Sequence, residues 1–314
     1  MKKLLVIVGP TASGKTSLSI ELAKTYNGEI ISADSMQIYR GMNIATAKPD
    51  EKEMQGIKHH LIDFLDICET YSVGKFVNDA KTAVNEIIND SKLPILCGGT
   101  GLYIDSFLNG IDFVDNSADL ELRAELNKLA NEKGIDYLLK KLIEIDPASY
   151  MRLYEGRNQK RIVRAIEFYK TTGVTITEQI EKSKNVDSEY QYLIFGLKAK
   201  DRQYLYDRIN KRVDIMIENG LVKEAEDMLK SDMSETASKA IGYKQLKPYF
   251  NNEATLEECI DRIKLETRHY AKRQLTWFKR NSSIIWLNID ELTSTEQQLD
   301  YIKGYIKNKG FLYG

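Results

Sequence analysis

Eight residues near the start, Gly9-Pro10-Thr11-Ala12-Ser13-Gly14-Lys15-Thr16, satisfy the pattern G-x-x-x-x-G-K-[ST] in full. Glycines let such a backbone curl until its N–H groups face one anion, Lys15 adds a point charge, and the Thr16 hydroxyl suits a Mg²⁺ ion. The chemistry implied is the holding of a phosphate or diphosphate, which is not the same as hydrolysing one. Asp34 follows the apolar run Ile30-Ile31-Ser32-Ala33, where its carboxylate is placed to hold Mg²⁺, take a proton or simply cap a helix. Gly98-Gly99-Thr100-Gly101 closes another apolar run with a hydroxyl and no acidic residue, unlike the many nucleotide hydrolases that carry a Mg²⁺-binding aspartate there. Arg208 and Arg212 stand four apart, on one helical face beside Leu205, Ile209 and Val213, aimed into a site or paired with acids such as Asp207. His59 and His60 are adjacent, so their side chains diverge; packing and hydrogen bonding suit them better than metal binding.

Cations gather in two stretches. Residues 151–170 hold six Lys or Arg against two Glu, a local charge of +4. Residues 261–280 hold seven against two, a charge of +5, with Tyr270, Trp277 and Phe278 interleaved. Cations mixed with aromatics suit phosphate backbones and unstacked bases, although either stretch alone is equally a solvated helix face.

These residues need elements to hold them. Leu4–Val8, Glu29–Ala33 and Pro94–Cys97 are continuous apolar runs separated by amphipathic stretches at 17–26 and 76–88. Unbroken apolar strands between helices predict a parallel sheet covered on both faces. From about Asp115 only helical spacing remains, including Asp146-Pro147 as an N-cap with proline at the first position, and a helix from Asn158 to near Gly173. Strand character returns at Tyr192–Leu197, and long helices are expected at 202–219 and 257–280. The reading is an α/β protein: a P-loop NTPase-like parallel-sheet core, residues 1–115 and 187–314, carrying a helical insertion at 116–186.

The whole chain is nearly neutral, with 45 Lys and Arg against 46 Asp and Glu in 314 residues, so any pull on nucleic acid must be local. Three scattered cysteines (68, 97 and 259) form no C-x-x-C pair, and no run approaches a membrane span. A cytoplasmic, monomeric protein with no membrane partner is expected.

Taken in order, these segments resemble the tRNA dimethylallyltransferase family, the bacterial tRNA isopentenyltransferases. The resemblance runs from Gly9–Thr16 and Ile31–Ser35 through Gln37–Met42, Thr46–Pro49 and His59–Asp63. It continues through Gly98–Tyr103, Arg161–Glu167, Arg208–Asp214, Ala240–Lys244 and Tyr270–Phe278. It covers residues 4 to about 280, leaving the last thirty residues without a motif.

The resemblance implies transfer of a dimethylallyl group from dimethylallyl diphosphate to N6 of the adenine on the 3′ side of the anticodon, with Mg²⁺ and tRNA as cofactor and partner. It implies that Asp34 takes the proton, that Thr100 sits near the donor's bridging oxygen, and that Arg212, with Arg208 nearby, faces the diphosphate held by residues 9–16. It implies tRNA contacts by Ser35, Met36 and Gln37, the last recognising the flipped adenine, and by Arg123, Lys160, Arg161, Ile162, Val163 and Arg164. Lys239, Gly242, Tyr243, Lys244, Lys272, Arg273, Gln274, Trp277 and Lys279 complete that set. Two positions depart from the family pattern: Gly101, where some relatives carry a bulkier residue, and Lys160, where many carry glutamine. The zinc finger of eukaryotic members is lacking. The competing readings are a P-loop kinase for a small metabolite, a prenyltransferase acting on free adenine nucleotide, and a non-catalytic RNA-binding protein.

Overall fold

In the computed structural model, which describes residues 1–110, 119–184 and 189–312, the apolar runs of the sequence become the centre of one sheet. The chain runs β1 (Lys2–Val8), α1 (Lys15–Thr25), β2 (Gly28–Ala33), α2 (Glu51–Met54), β3 (His59–His60), α3 (Val73–Asn89), β4 (Leu93–Gly98) and α4 (Gly101–Leu108). Five helices follow: α5 (Leu120–Lys133), α6 (Ile135–Ile145), α7 (Pro147–Leu153), α8 (Gln159–Thr172) and α9 (Ile176–Lys184). The chain then returns through β5 (Tyr190–Lys198), α10 (Arg202–Glu218), α11 (Leu221–Leu229), α12 (Tyr243–Phe250), α13 (Leu256–Phe278), β6 (Ile284–Asn288) and α14 (Thr295–Asn308).

The six strands lie in the order β3-β2-β4-β1-β5-β6, and every pairing is parallel. Residues 4–8 of β1 and 93–98 of β4 are buried throughout, as strands covered on both faces must be. The register aligns Val8, Ala33 and Gly98 in one row, with Gly196 beside Val8. The segments leaving β1, β2 and β4 therefore emerge together at the carboxyl edge of the sheet. The order also reverses at β1, since β4, β2 and β3 lie to one side and β5 and β6 to the other. Open α/β sheets form their ligand crevice at such a reversal.

Helices 1 and 14 cover one face. Leu18, Ile20 and Leu22 share a buried cluster with Ile7, Ile95, Leu287, Ile302, Ile306 and Phe311. The last thirty residues, which lack any motif, thus add an edge strand and complete this core. Neither β6 nor the two-residue β3 is apparent from sequence patterning: each is short, and the buried positions of α14, Gln298, Ile302 and Ile306, include a glutamine that breaks the apolar stripe.

By contacts the chain divides into Met1–Asp105 with Glu189–Gly314, and Ser106–Ser188. The boundaries expected at 115/116 and 186/187 lie outside the described residues. The second unit is helical, with a core of Leu126, Leu138, Leu139, Leu142, Ile162, Val163 and Ile166 among others. Asp146 caps α7 as its sequence predicts, accepting from Ser149 N–H at 2.9 Å, with Pro147 at the first helical position. Among the described residues no helix is long and apolar enough to cross a membrane.

Candidate active site

The segment between β1 and α1 curls as its glycines allow. Gly14 holds φ 93° and ψ 14°, a left-handed conformation that costs a glycine little, and caps α1 without a side-chain acceptor. First-turn N–H groups left in this way make an anion site together with the helix dipole. Lys15 closes the loop by donating from Nζ to the Pro10 carbonyl at 2.8 Å. Its ammonium lies deep, and burial chiefly pulls its pKa down to about 8; nearby Arg212 pulls the same way, while Cys97 and Asp34 oppose.

A cavity of about 350 Å³ opens beside this loop. Its lining combines polar Thr11, Lys15, Thr16, Asp34 and Arg212 with apolar Val213, Met216, Leu221, Ile241 and Ile263. Arg212 is drawn inward from α10. Its Nε is buried with no hydrogen-bond partner, and burial lowers its pKa against the pull of Asp34 and Glu53. A buried guanidinium N–H without a partner is costly unless an anion completes it. Arg208, one turn earlier, instead donates from Nε to the Ala12 carbonyl at 2.8 Å and so braces the phosphate loop from outside. Neither arginine pairs with Asp207, which accepts from Gln203.

Asp34 follows β2 directly. Its Oδ1 accepts from Met36 N–H at 2.9 Å and Gln37 N–H at 3.4 Å, which fixes the carboxylate at the cavity wall. Thr100 Oγ1 accepts from Ser35 N–H at 3.1 Å, and Thr100 N–H donates to Ala33 at 3.1 Å, tying the turn after β4 to the turn after β2. Gln274 of α13 fastens the third loop: its Oε1 accepts from Thr11 N–H at 2.9 Å and its Nε2 donates to the Gly99 carbonyl at 3.0 Å. Buried and with these bonds made, Gln274 holds two loops together at the cavity. Tyr270, one turn earlier, lines the cavity next to Thr100 and Gln274; burial raises its hydroxyl pKa, and the Asp34 charge adds to this.

The two histidines behave as their spacing predicts. His59 Nδ1 meets the Ile57 carbonyl at 2.9 Å, and His60 Nε2 meets buried Glu29 at 2.6 Å.

Comparison with known proteins decides the lineage. The IPP transferase family model matches residues 37–281. A tRNA dimethylallyltransferase of Acetivibrio thermocellus is 47% identical over 312 residues, 99% of each chain. The chain belongs to the IPP transferase family. Its fold superposes on the tRNA delta(2)-isopentenylpyrophosphate transferase of Staphylococcus epidermidis with a TM-score of 0.71 and 39% identity, covering 98% of this chain and 100% of that one. A eukaryotic dimethylallyltransferase acting on tRNA matches at a TM-score of 0.83 and 28% identity, covering 100% of this chain and 80% of that one.

Within this family member the remaining candidate residues fall into distinct places. Ser35, Met36, Gln37, Lys239 and Arg273 line the cavity with the phosphate loop. Lys244, Lys272 and Lys279 are exposed, and Gly242 starts α12. Lys264 and Arg268 of the same basic stretch are engaged by α10, pairing with Asp214 at 2.6 Å and Asn210 at 2.8 Å. Tyr243 is fully buried. Trp277 lies across the start of α4, where a Cβ on Gly101 would come within 2.2 Å of its ring; glycine at 101 makes that room. The indole N–H donates to Asp105 at 2.6 Å, and the Arg280 guanidinium stacks 4.1 Å from the ring centre.

In the helical unit, Lys160 and Arg161 are exposed at the start of α8, whereas Ile162 and Val163 are buried in its core. α8 turns the side chains of these two expected RNA contacts inward with Ile166. Arg123 and Arg164 hold Glu167, which is fully buried, the first through Nε and Nη2 at 2.9–3.2 Å and the second at 3.5 Å.

Proposed function

We propose that this protein transfers a dimethylallyl group from dimethylallyl diphosphate to N6 of an adenine in tRNA, on the 3′ side of the anticodon. The observation that carries the reading is a single cavity lined by the anion loop, by Arg212 with its buried unpartnered Nε, by a carboxylate and by apolar side chains. A diphosphate with a short apolar tail matches that division, polar end against residues 9–16 and tail against Val213 and Leu221.

The chemistry follows from the charges. The N6 lone pair forms a bond to C1 of the donor while the C1–O bond breaks, and both electrons leave with the diphosphate. Loop amides, Lys15 and Arg212 face the charge that develops on the leaving group. Asp34, held by two backbone N–H groups, takes the proton that the amine loses. Thr100 sets its hydroxyl beside that carboxylate's turn, and Arg208 keeps the loop in shape from behind. The hard oxygen donors at the cavity, the Thr16 hydroxyl above all, fit Mg²⁺, which when bound supplies further positive charge to the diphosphate. Lys160 and Arg161 in the helical unit, with Lys244, Lys272 and Lys279, are exposed cations that would meet tRNA phosphates.

A ligand comparison tests the reading. Calorimetry with Mg²⁺ should show dimethylallyl diphosphate bound more tightly than ATP, and no ADP or phosphate released from ATP without RNA. Robust ATP turnover would mean a kinase or hydrolase instead.

A further inference from the structure

Glu224, in the first turn of α11, receives four hydrogen bonds. The N–H groups of Asn43 and Ile44 donate to Oε2 at 2.9 and 2.7 Å, that of Ala45 donates to Oε1 at 2.9 Å, and the buried Tyr243 hydroxyl reaches Oε1 at 2.9 Å. Three successive N–H groups converging on one point make an anion nest, commonly a ligand site. Here a side chain from a distant helix fills it, so the nest serves to fix the segment that carries it.

That segment continues into Thr46 and Ala47, which line the cavity. Both of their carbonyls accept from Gln37 Nε2, each at 3.2 Å, and Ser32 Oγ donates to Gln37 Oε1 at 3.3 Å. An amide flanked by two carbonyl oxygens on one side and a hydroxyl on the other has one favourable orientation. With both N–H bonds committed, Gln37 keeps only acceptor capacity, on Oε1. Such a group takes a hydrogen bond from an amine and has none to give to a carbonyl.

We infer that Glu224 is a positioning residue: through residues 43–47 it locks Gln37 as an acceptor, and so selects an acceptor base bearing an exocyclic amine over one bearing a carbonyl at the same place. The proposal rests on reading the cavity as the site where the tRNA adenine meets the donor. Glutamine at 224 would set an N–H₂ against the nest and weaken the clamp while keeping its shape.

The test is transfer to an anticodon stem-loop with adenosine at the acceptor position, and competition by the same loop carrying inosine there. With Glu224→Gln, kcat/KM for the RNA should fall roughly tenfold or more. KM for the donor should stay within about twofold, and the preference for the adenosine loop over the inosine loop should shrink towards unity. In a Gln37→Ala background the same substitution should cost less than about twofold, because the residue it acts through is gone. An unchanged kcat/KM and base preference, or an equal loss in both backgrounds, would overturn the clamp. Should Glu224→Gln fail to give a cooperative thermal transition, Tyr243→Phe, which deletes one donor of the four, is compared in the same two backgrounds and must show the same coupling. Wild-type protein that transfers nothing would sink the prenyl-transfer reading and the clamp together, whereas normal transfer with an indifferent Glu224→Gln would sink the clamp alone.

Discussion

At the scale of single residues, the site is a problem of keeping like charges close until an anion arrives. Lys15 and Arg212 line the same cavity, and the Arg212 charge adds to the desolvation that lowers the Lys15 pKa. With its pKa near 8, Lys15 loses its charge in the free protein as pH rises through that value, and a bound diphosphate must restore it. Donor affinity should therefore be nearly constant between about pH 7, where the diphosphate is fully ionised, and about pH 8, and weaken towards tenfold per pH unit above that, with proton uptake visible calorimetrically. A donor Kd that stays flat to about pH 9.5 would contradict this assignment. Asp34→Ala should keep tRNA binding and lose transfer by about two to four orders of magnitude in single-turnover assays; near-normal turnover would remove Asp34 as the base. Lys15, Thr16, Asp34 and Thr100 were legible because each stands at a fixed offset from an apolar run. Gln274, Tyr270 and Glu224 were not legible in these roles, since their partners lie far away in sequence and only the fold brings them together.

At the scale of elements, composition and contact diverge in instructive ways. The basic stretch 151–170 reads as one cationic surface, yet α8 alternates its faces, so Arg164 turns to Glu167 while Lys160 and Arg161 stay exposed. Because Glu167 is fully buried, Arg123→Ala should cost about 3 kcal/mol in denaturant unfolding, while Arg161→Ala should stay within about 0.5 kcal/mol. Equal stabilities would show that the ion pair is dispensable. Helices 1, 3, 8, 10 and 13 and the four longer strands were readable from apolar period, whereas the reciprocal box of Thr255 and Glu258 that starts α13 emerges only in the structure. The edge strands β3 and β6 were not, because two to five residues carry too little pattern.

At the scale of the whole molecule, near-neutral net charge coexists with cationic stretches, so the proposed tRNA binding is expected to rest on shape and a few phosphate contacts. If Lys160 and Arg161 are two of those contacts, replacing both with alanine should flatten the slope of log affinity against log salt by about 1.5. An unchanged slope would place both in solvent. The sheet order explains why one edge gathers the chemistry: β1, β2 and β4 end in one row, and the fold reverses there. The central claim, that this edge joins a prenyl diphosphate to a tRNA base, is tested most directly by incubating the protein with labelled dimethylallyl diphosphate, Mg²⁺ and unmodified tRNA and analysing the digested nucleosides. The account predicts label in N6-dimethylallyladenosine from the position 3′ of the anticodon. Label absent from RNA, or carried on free adenine nucleotide instead, would contradict it.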